Sequence, residues 1–209
     1  MKRVAPKQSR SIEAERKFMQ AAEQVFADKG YAGARVSDIV KLAGSSTGNF
    51  YFRFKNKEAL FDYMLEQYLE RARLAVQVLP EKTTSVADLV AWIVVLNGRL
   101  LNENLGFYRA INEVSIRSPE TWLQLRSLTD EVAHNLLTSA ADLLHEIPDT
   151  NPRHRLQQAV QFITGSMANQ AIHHADRQLL EAQNIDMHFR AGMGILGICP
   201  VPAVPNIED

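Results

Sequence analysis

The sequence predicts an all-α fold of about nine helices, with a three-helix unit at the N-terminus followed by a larger helical domain. Along most of the chain, apolar residues recur at helical spacing in segments that Gly or Pro residues separate. The β-branched run Ile93–Val95 has no second strand candidate to pair with, so a helix is the better interpretation there. A short polar turn with Gly44 separates two brief helical segments, which is typical of a helix-turn-helix.

Apolar periodicity, capping residues and these Gly and Pro positions predict the helices in chain order. Phe18, Ala22 and Phe26 share one face of the first helix, which we expect over residues 11–29, with Gly30 as its stop. Ser85 and Asp88 form a capping-box pattern at the start of a later helix. The pairs Ser118-Pro119 and Asn151-Pro152 each place a capping residue before a first-turn proline. The remaining helices are expected at 36–43, 47–53, 57–78, 85–104, 107–117, 119–145, 152–181 and 187–198.

Charge is distributed unevenly along the 209 residues, although the net charge is only −1. Residues 1–57 carry 12 Lys/Arg and 5 Asp/Glu, a net charge of +7, whereas residues 58–209 carry 11 and 19, a net charge of −8. A basic head suits a polyanionic partner, because each cation that neutralises a phosphate releases a counterion. A solvated basic face with no partner explains the charge equally well, so charge alone leaves both interpretations open.

Several classes of protein are not indicated. The single cysteine, Cys199, excludes a disulfide framework within the chain, and we expect it to be a small buried apolar side chain. The longest apolar run, Leu89–Leu96, is far shorter than the roughly 20 residues of a membrane span. No apolar stretch follows the basic N-terminus, so no signal peptide is predicted. We therefore expect a soluble, cytoplasmic protein.

No catalytic constellation, metal site or cofactor site is predicted. The spacing of Gly192–Gly197 matches the dinucleotide pattern GxGxxG, but no strand precedes it and too few residues follow for a βαβ unit. The neighbouring residues His173 and His174 do not share a helix face, and a pair such as His173 with Asp176 does not complete a zinc site. No nucleophile elbow, HExxH motif or phosphate loop occurs.

The segment Gly44–Glu58, GSSTGNFYFRFKNKE, carries the chemistry of the predicted helix-turn-helix. Gly44 can adopt positive φ in the turn, and Ser46 can cap the second helix. In such motifs the second helix enters the major groove of DNA by its N-terminus, and Thr47, Gly48 and Asn49 make that first turn small and polar.

The aromatic residues of this segment divide between two faces. Phe50 and Phe54 are four residues apart and should pack on the first helix. The Tyr51 hydroxyl can donate to a phosphate oxygen, and Phe52 can contact a thymine methyl group or a sugar. Arg53, Lys55 and Lys57 add positive charge at the far end of the segment. A plain helical hairpin with every aromatic in the core is the alternative.

The stretch Ala43–Phe61, AGSSTGNFYFRFKNKEALF, resembles the signature of the TetR family of bacterial transcriptional regulators. The resemblance extends over about residues 15–65, and the run from Ile111 to Glu120 resembles a helix junction common in that family. It implies a two-fold dimer of all-helical subunits, each with an N-terminal DNA-binding unit and a C-terminal domain for ligand binding and dimerisation. The expected boundaries are 1–57 for the DNA-binding domain, 58–199 for the second domain and 200–209 for a flexible tail.

The resemblance also assigns residues to DNA and exposes departures from the family pattern. Arg35 replaces the usual capping Thr, so Ser37 is expected to cap the helix and Arg35 to bind phosphate. Ser45 replaces an apolar turn residue, and Arg53 replaces a frequent His. The residues expected to contact DNA are Arg35, Ser37, Ser46, Thr47, Gly48, Asn49, Tyr51, Phe52, Arg53 and Lys57.

The larger domain is expected to hold a small-molecule effector between its helices and to form the dimer. The candidate ligand-lining residues mix aromatic and isolated polar side chains: Trp92, Leu96, Arg99, Glu103, Phe107, Tyr108, Trp122 and His134. The candidate dimer residues form an apolar and small-residue stripe: Leu156, Val160, Ile163, Met167, Ala171, Gly192 and Leu196. Burial of this stripe in the subunit's own core is the alternative.

The combined hypothesis is a DNA-binding regulator, a repressor that a small-molecule effector releases from a palindromic operator of double-stranded DNA. An alternative is a DNA-associated interaction protein that signals through a protein partner bound to the acidic helical body. An enzyme housed in the helical domain is a third possibility, which the lack of a catalytic constellation disfavours.

Overall fold

A computed structural model describes residues 6–75, 77, 80–173 and 179–205, with the side chains of residues 6–10, 122 and 128 excluded from that description. All regular structure in these residues is helical, which confirms the all-α prediction. The elements are α1 (Pro6–Gly33), α2 (Val36–Leu42), α3 (Thr47–Tyr51), α4 (Lys57–Ala75), α5 (Val86–Glu103), α6 (Leu105–Ser115), α7 (Pro119–Ser139), a 3-10 helix (Ala141–Glu146), α8 (Pro152–His173) and α9 (Ala182–Ile195).

Packing divides the described residues into two compact units. The first unit comprises Met1–Leu69 and Asn104–Thr121, and the second comprises Glu70–Glu103 and Trp122–Asp209. The first unit is therefore larger than the DNA-binding domain expected at residues 1–57, because the start of α4 and all of α6 pack with α1–α3. The functional division at residue 57 stays a prediction.

Aromatic side chains form the core of the first unit. The rings of Phe18 and Phe50 are fully buried and meet edge to face, with their centroids 5.4 Å apart. Phe54 packs on the same Phe18 ring at 6.2 Å. The prediction that Phe50 and Phe54 face the first helix is thus confirmed, and the helix-turn-helix is fixed to α1 by edge-to-face ring contacts that add to apolar burial.

The core of the second unit lies between α5, α8 and α9. Gly192 on α9 allows close approach, because a Cβ placed there would lie 3.0 Å from side-chain carbons of both Ile163 and Val90. Ile93, Val94 and Val95 are buried within α5, so this β-branched run is helical as predicted. At the start of α5 the Ser85 hydroxyl accepts from the Asp88 N–H, which confirms the predicted capping interaction.

The stripe predicted to form the dimer interface faces the second unit's own core. At most 4% of the surface of Leu156, Val160, Ile163, Met167, Ala171 or Leu196 is exposed, and Gly192 is also buried. The prediction is corrected accordingly: these residues are already covered within one chain, as in the alternative that the sequence left open.

Other boundaries and positions also differ from the predictions. Ala140 has φ −96° and ψ 14°, so the helix expected over 119–145 ends near Ser139 and the chain continues as a 3-10 helix. The last helix begins at Ala182 rather than near residue 187. Cys199 is exposed, not buried. None of the described helices has the length and apolar character that a membrane span needs.

Candidate nucleic-acid interface

The helix-turn-helix consists of α2, a turn at residues 43–46 and α3. Gly44 has φ 59° in this turn, a conformation that favours glycine. The Ser46 hydroxyl accepts a hydrogen bond of 3.1 Å from the Asn49 N–H, so Ser46 caps α3 as predicted. The first turn of α3 is thereby fixed, with the side chains of its outer face free of the core.

The outer face of α3 carries Thr47, Gly48, Tyr51 and Phe52. All four residues are exposed, Tyr51 by 53% and Phe52 by 83%. A Cβ placed at Gly48 would meet no atom within 4 Å, so packing inside the chain does not require glycine there. Because glycine weakens a helix by about 1 kcal/mol relative to alanine, its presence fits a surface that another molecule approaches closely.

Two predicted DNA contacts, Asn49 and Arg53, are engaged within the chain. The Asn49 side-chain amide donates to the Ser45 hydroxyl at 2.8 Å, and Asn49 Oδ1 accepts from Arg53 Nη1. The same Nη1 donates to the Asn49 carbonyl oxygen at 3.1 Å. The buried Arg53 Nε has no partner among the described residues. Ser45, the departure from the family pattern, therefore starts a hydrogen-bonded chain that runs through Asn49 to Arg53.

The start of α2 differs from the prediction. Arg35, not Ser37, is the N-cap residue, and no side chain caps the helix at that position. Instead the Asp38 carboxylate accepts from the Arg35 N–H at 3.3 Å and pairs with the Lys29 ammonium at 2.9 Å. The hydrogen bond from Lys29 holds the pKa of the Asp38 carboxyl below its usual range. Arg35 and Ser37 themselves are exposed, as a phosphate-binding role requires.

The ammonium of Lys57, a predicted DNA contact, is bound mainly within the chain. Its ammonium donates to the carbonyl oxygens of Tyr31 at 2.6 Å and of Ala34 at 2.9 Å. It also lies 4.3 Å from the centroid of the Tyr31 ring, within cation–π range. Two of its three N–H donors are thus used to hold the end of α1 to the start of α4.

A cleft of about 600 Å³ lies beside α3 in the first unit. Its lining comes from α1, the turn and α3: Glu13, Ala14, Lys17, Ala43, Gly44, Ser45 and Asn49. Sequence reasoning missed Lys17, although its position on the basic head is visible in the sequence. The signal that could have found it is the adjacent pair Lys17–Phe18, in which a cation directly precedes the residue that packs on α3.

The predicted ligand residues are divided between the two units. Phe107 and Tyr108 belong to the first unit, where the Phe107 ring is buried and lies 5.3 Å from that of Phe61. The other predicted ligand residues belong to the second unit, where Trp92 and Leu96 are half-buried and Arg99, Glu103 and His134 are exposed. The side chain of Trp122 lies outside the described part. Phe107 is thus a core residue of the first unit.

Two buried amide oxygens in the second unit were missed by sequence reasoning. Asn102 Oδ1 on α5 and Gln170 Oε1 on α8 have no hydrogen-bond partner among the described residues. Leaving such a group unpaired costs about 1–3 kcal/mol, so a hydrogen-bond donor from outside the chain would stabilise each oxygen.

The described residues contain no group of three or more His, Cys, Asp or Glu side chains placed to hold a metal ion. His173 is exposed at the end of α8, and its neighbours His174 and Asp176 lie outside the described residues.

Comparison with known proteins identifies relatives on both sequence and structure. A family model described as "Bacterial regulatory proteins, tetR family" matches residues 18–64. The Fatty acid metabolism regulator protein of Bacillus subtilis (strain 168) is 32% identical over 139 residues, which cover 62% of this chain and 67% of the relative. The uncharacterized HTH-type transcriptional regulator YdgC of the same organism is 35% identical over 65 residues, 31% of this chain. In that second match the chain spans about a third (33%) of the relative's length.

Solved structures share the fold over nearly their whole length. Salmonella enterica GusR superposes with a TM-score of 0.64 at 17% identity, over 88% of this chain and 96% of that one. The transcriptional regulator FadR from Bacillus subtilis, in complex with stearoyl-CoA, superposes with a TM-score of 0.54 at 21% identity. That match covers 87% of this chain and 95% of FadR.

Proposed function

Because the chain belongs to the tetR family of bacterial regulatory proteins, we propose that it is a homodimeric repressor that a small-molecule effector releases from a palindromic operator. One observation carries the proposal: the polar, capped and exposed first turn of α3, with Thr47 and Gly48 beside Tyr51 and Phe52, on a basic head. Such a turn can enter the major groove without displacing any side chain from the core.

Two groups of residues contact the DNA, one at the base edges and one at the phosphates. Thr47, Gly48, Tyr51 and Phe52 lie against base edges and the adjacent backbone. Arg35, Ser37 and Lys17 contact phosphates on either side, which fix the register of the protein but carry no sequence information. Asn49, Arg53 and Lys57 support this surface from within, since the Asn49 amide, Arg53 Nη1 and the Lys57 ammonium each bond to another group of the chain.

The dimer forms through the exposed faces of α8 and α9. Phe162 and Met187 are large apolar side chains exposed by 46% and 53% in the single chain. Gly165 and Gly194 lie on the same faces, and a Cβ at either glycine would meet no atom within 4 Å. An apolar, small-residue surface of this kind permits close helix approach to a second copy by two-fold symmetry.

The effector binds in the second unit, where the unpaired oxygens of Asn102 and Gln170 accept hydrogen bonds from it. Its binding favours a dimer state whose two recognition helices no longer match adjacent major grooves, which lie about 34–36 Å apart. The factor by which the effector weakens DNA binding is set by the ratio of its affinities for the two dimer states. The FadR structure with stearoyl-CoA makes long-chain acyl-CoA the first class of compound to test. We also propose that the protein is cytoplasmic and has no enzymatic activity.

A gel-shift titration of the full-length protein tests the core of the proposal. Duplexes from its own promoter region and random duplexes of equal length are titrated from about 50 to 200 mM salt, where each phosphate contact steepens the fall in affinity. Preferential binding to one duplex, relieved by an added acyl-CoA or by a ligand found in native mass spectrometry, supports the proposal. Equal binding of specific and random duplexes contradicts it. Specific binding that responds only to a captured protein supports the alternative of a protein partner.

A further inference from the structure

The recognition helix α3 offers an exposed aromatic ring but no free fork of donors and acceptors for reading bases. Bidentate readout of guanine by Arg, or of adenine by Asn, requires both polar edges of the side chain. The Asn49 amide already donates to Ser45 and accepts from Arg53. Arg53 is half-buried, and its Nη1 donates twice to Asn49. These two residues therefore do not have the free geometry for the usual contacts to guanine or adenine.

Phe52, in contrast, has no covering group on its outer side. It is the C-cap residue of α3, and 83% of its surface is exposed, the largest exposed fraction among the large hydrophobic residues described. The carbon of the Arg53 guanidinium lies 5.6 Å from the centroid of its ring, so one face of the ring is supported. The Arg53 guanidinium thus lies over one face of the ring, and the rest of the ring is open to whatever approaches α3.

In the major groove only one base presents an apolar group, the 5-methyl of thymine. We propose that Phe52 recognises a thymine methyl group in each operator half-site, and that Ser45, Asn49 and Arg53 form a brace that holds the ring for this contact. The inference rests on the proposed function, because it requires α3 to enter the major groove. It gives Asn49 and Arg53, which were expected to contact DNA, a supporting role in recognition, and it excludes a deoxyribose as the main partner of Phe52.

The experiment uses deoxyuridine, which differs from thymidine only by the missing methyl group. Full-length protein selects its preferred duplexes from a random-sequence library, and the selected duplex is resynthesised with deoxyuridine at one thymine position at a time. We expect one position in each half-site at which loss of the methyl weakens binding about fourfold, the effect of removing one buried methyl-sized group. The Phe52→Ala variant should bind the thymine and deoxyuridine duplexes equally.

Matched variants distinguish the contribution of the Phe52 ring from the contributions of Tyr51 and Asn49. Tyr51→Phe should weaken binding to both duplexes alike and keep the fourfold ratio, since its hydroxyl faces phosphate in this arrangement. Asn49→Ala should reduce the ratio without changing which bases are selected, because it releases Arg53 from the ring. Thermal unfolding followed by circular dichroism confirms that each variant is folded before its affinity is compared.

Three results overturn the inference and leave the proposed function standing. Wild-type binding that is insensitive to deoxyuridine at every position would exclude a methyl contact. A Phe52→Ala variant that keeps the fourfold ratio would assign that contact to another residue. A changed base preference in the Asn49→Ala selection would make Asn49 a base-reading residue instead of part of a brace. If no sequence is enriched at all, the proposed function fails, and the inference fails with it; enrichment without methyl dependence leaves the proposed function standing.

Discussion

The carboxylate of Glu23 on α1 accepts a hydrogen bond of 2.6 Å from the backbone N–H of Gly106 at the start of α6. Its second oxygen accepts another of 2.6 Å from Phe107. The first N–H groups of a helix lack partners within the helix, and a negative charge at this end is favourable. Glu23 therefore caps α6 from a helix 83 residues earlier in the chain.

Substitution of Gly106 by alanine should destabilise the protein, because a Cβ there would lie 2.0 Å from the Glu23 carbonyl oxygen and 2.7 Å from the Ala27 nitrogen. Both are backbone atoms, so α6 must move away from α1. We expect a loss of about 1–3 kcal/mol in the free energy of unfolding, measured by urea denaturation. Gly33→Ala is the control, since its nearest neighbour would be at 3.6 Å. A Gly106→Ala variant as stable as that control would contradict the close approach seen here.

Glu113 makes the reciprocal contact, from α6 back to the end of α1. Its carboxylate accepts from the N–H groups of Tyr31 at 3.1 Å and Ala32 at 2.9 Å, just after the kink at Gly30. Glu113→Ala leaves both donors without this acceptor and should lower the free energy of unfolding by about 1–3 kcal/mol. Glu113→Gln keeps one acceptor oxygen and should lose less. Equal stability of the two variants in urea denaturation would show that the carboxylate is not the stabilising group.

These long-range contacts show what the sequence could predict and what it could not. Helical periodicity, Gly44 and Ser46 were sufficient for the helix-turn-helix, because each acts within a few residues of itself. The carboxylates of Glu23 and Glu113 act on backbone groups more than 80 residues away, and nothing in their local pattern specifies those partners. The fold class was therefore predictable, whereas the attachment of α6 to α1 required the three-dimensional structure.

Apolar stripes were ambiguous for a different reason. A stripe such as Val160, Ile163 and Met167 has the same spacing whether its cover is the subunit's own core or a second subunit. In the structure these residues are covered by their own unit, while Phe162 remains exposed between them in sequence. The contact between Asn49 and Arg53, which lie four residues apart, was likewise not indicated by the sequence pattern.

Lys57, the first residue of α4, and Lys55, two residues before it, should behave differently in DNA binding. Lys57 is bound to two carbonyl oxygens, whereas Lys55 is exposed and free to approach phosphate. Lys55→Ala should reduce the slope of log K against log salt by about two, because each of the two subunits of the dimer loses one phosphate contact. Lys57→Ala should lower thermal stability and leave that slope unchanged. A reduced slope in Lys57→Ala would show that its ammonium leaves Tyr31 and binds phosphate.

Phe162 should control dimerisation if the exposed faces of α8 and α9 meet a second copy. Phe162→Glu places a charge on a surface that must lose its water, so we expect dimer dissociation to increase at least about a hundredfold, as for an interface hot spot. Sedimentation velocity over a concentration series measures this directly. Leu123→Glu, at a site 59% exposed on α7, is the matched control and should leave assembly unchanged.

Because Phe162 is 46% exposed in the single chain, its substitution should leave the helical content of the monomer intact, in contrast to a charge at the fully buried Ile163. This contrast separates loss of assembly from loss of folding. A Phe162→Glu protein that sediments as a dimer would exclude this face, and a wild-type protein that sediments as a monomer at micromolar concentration would exclude the homodimer itself. A dissociated but folded Phe162→Glu variant should also bind a palindromic duplex more weakly, since the two recognition helices would no longer be linked.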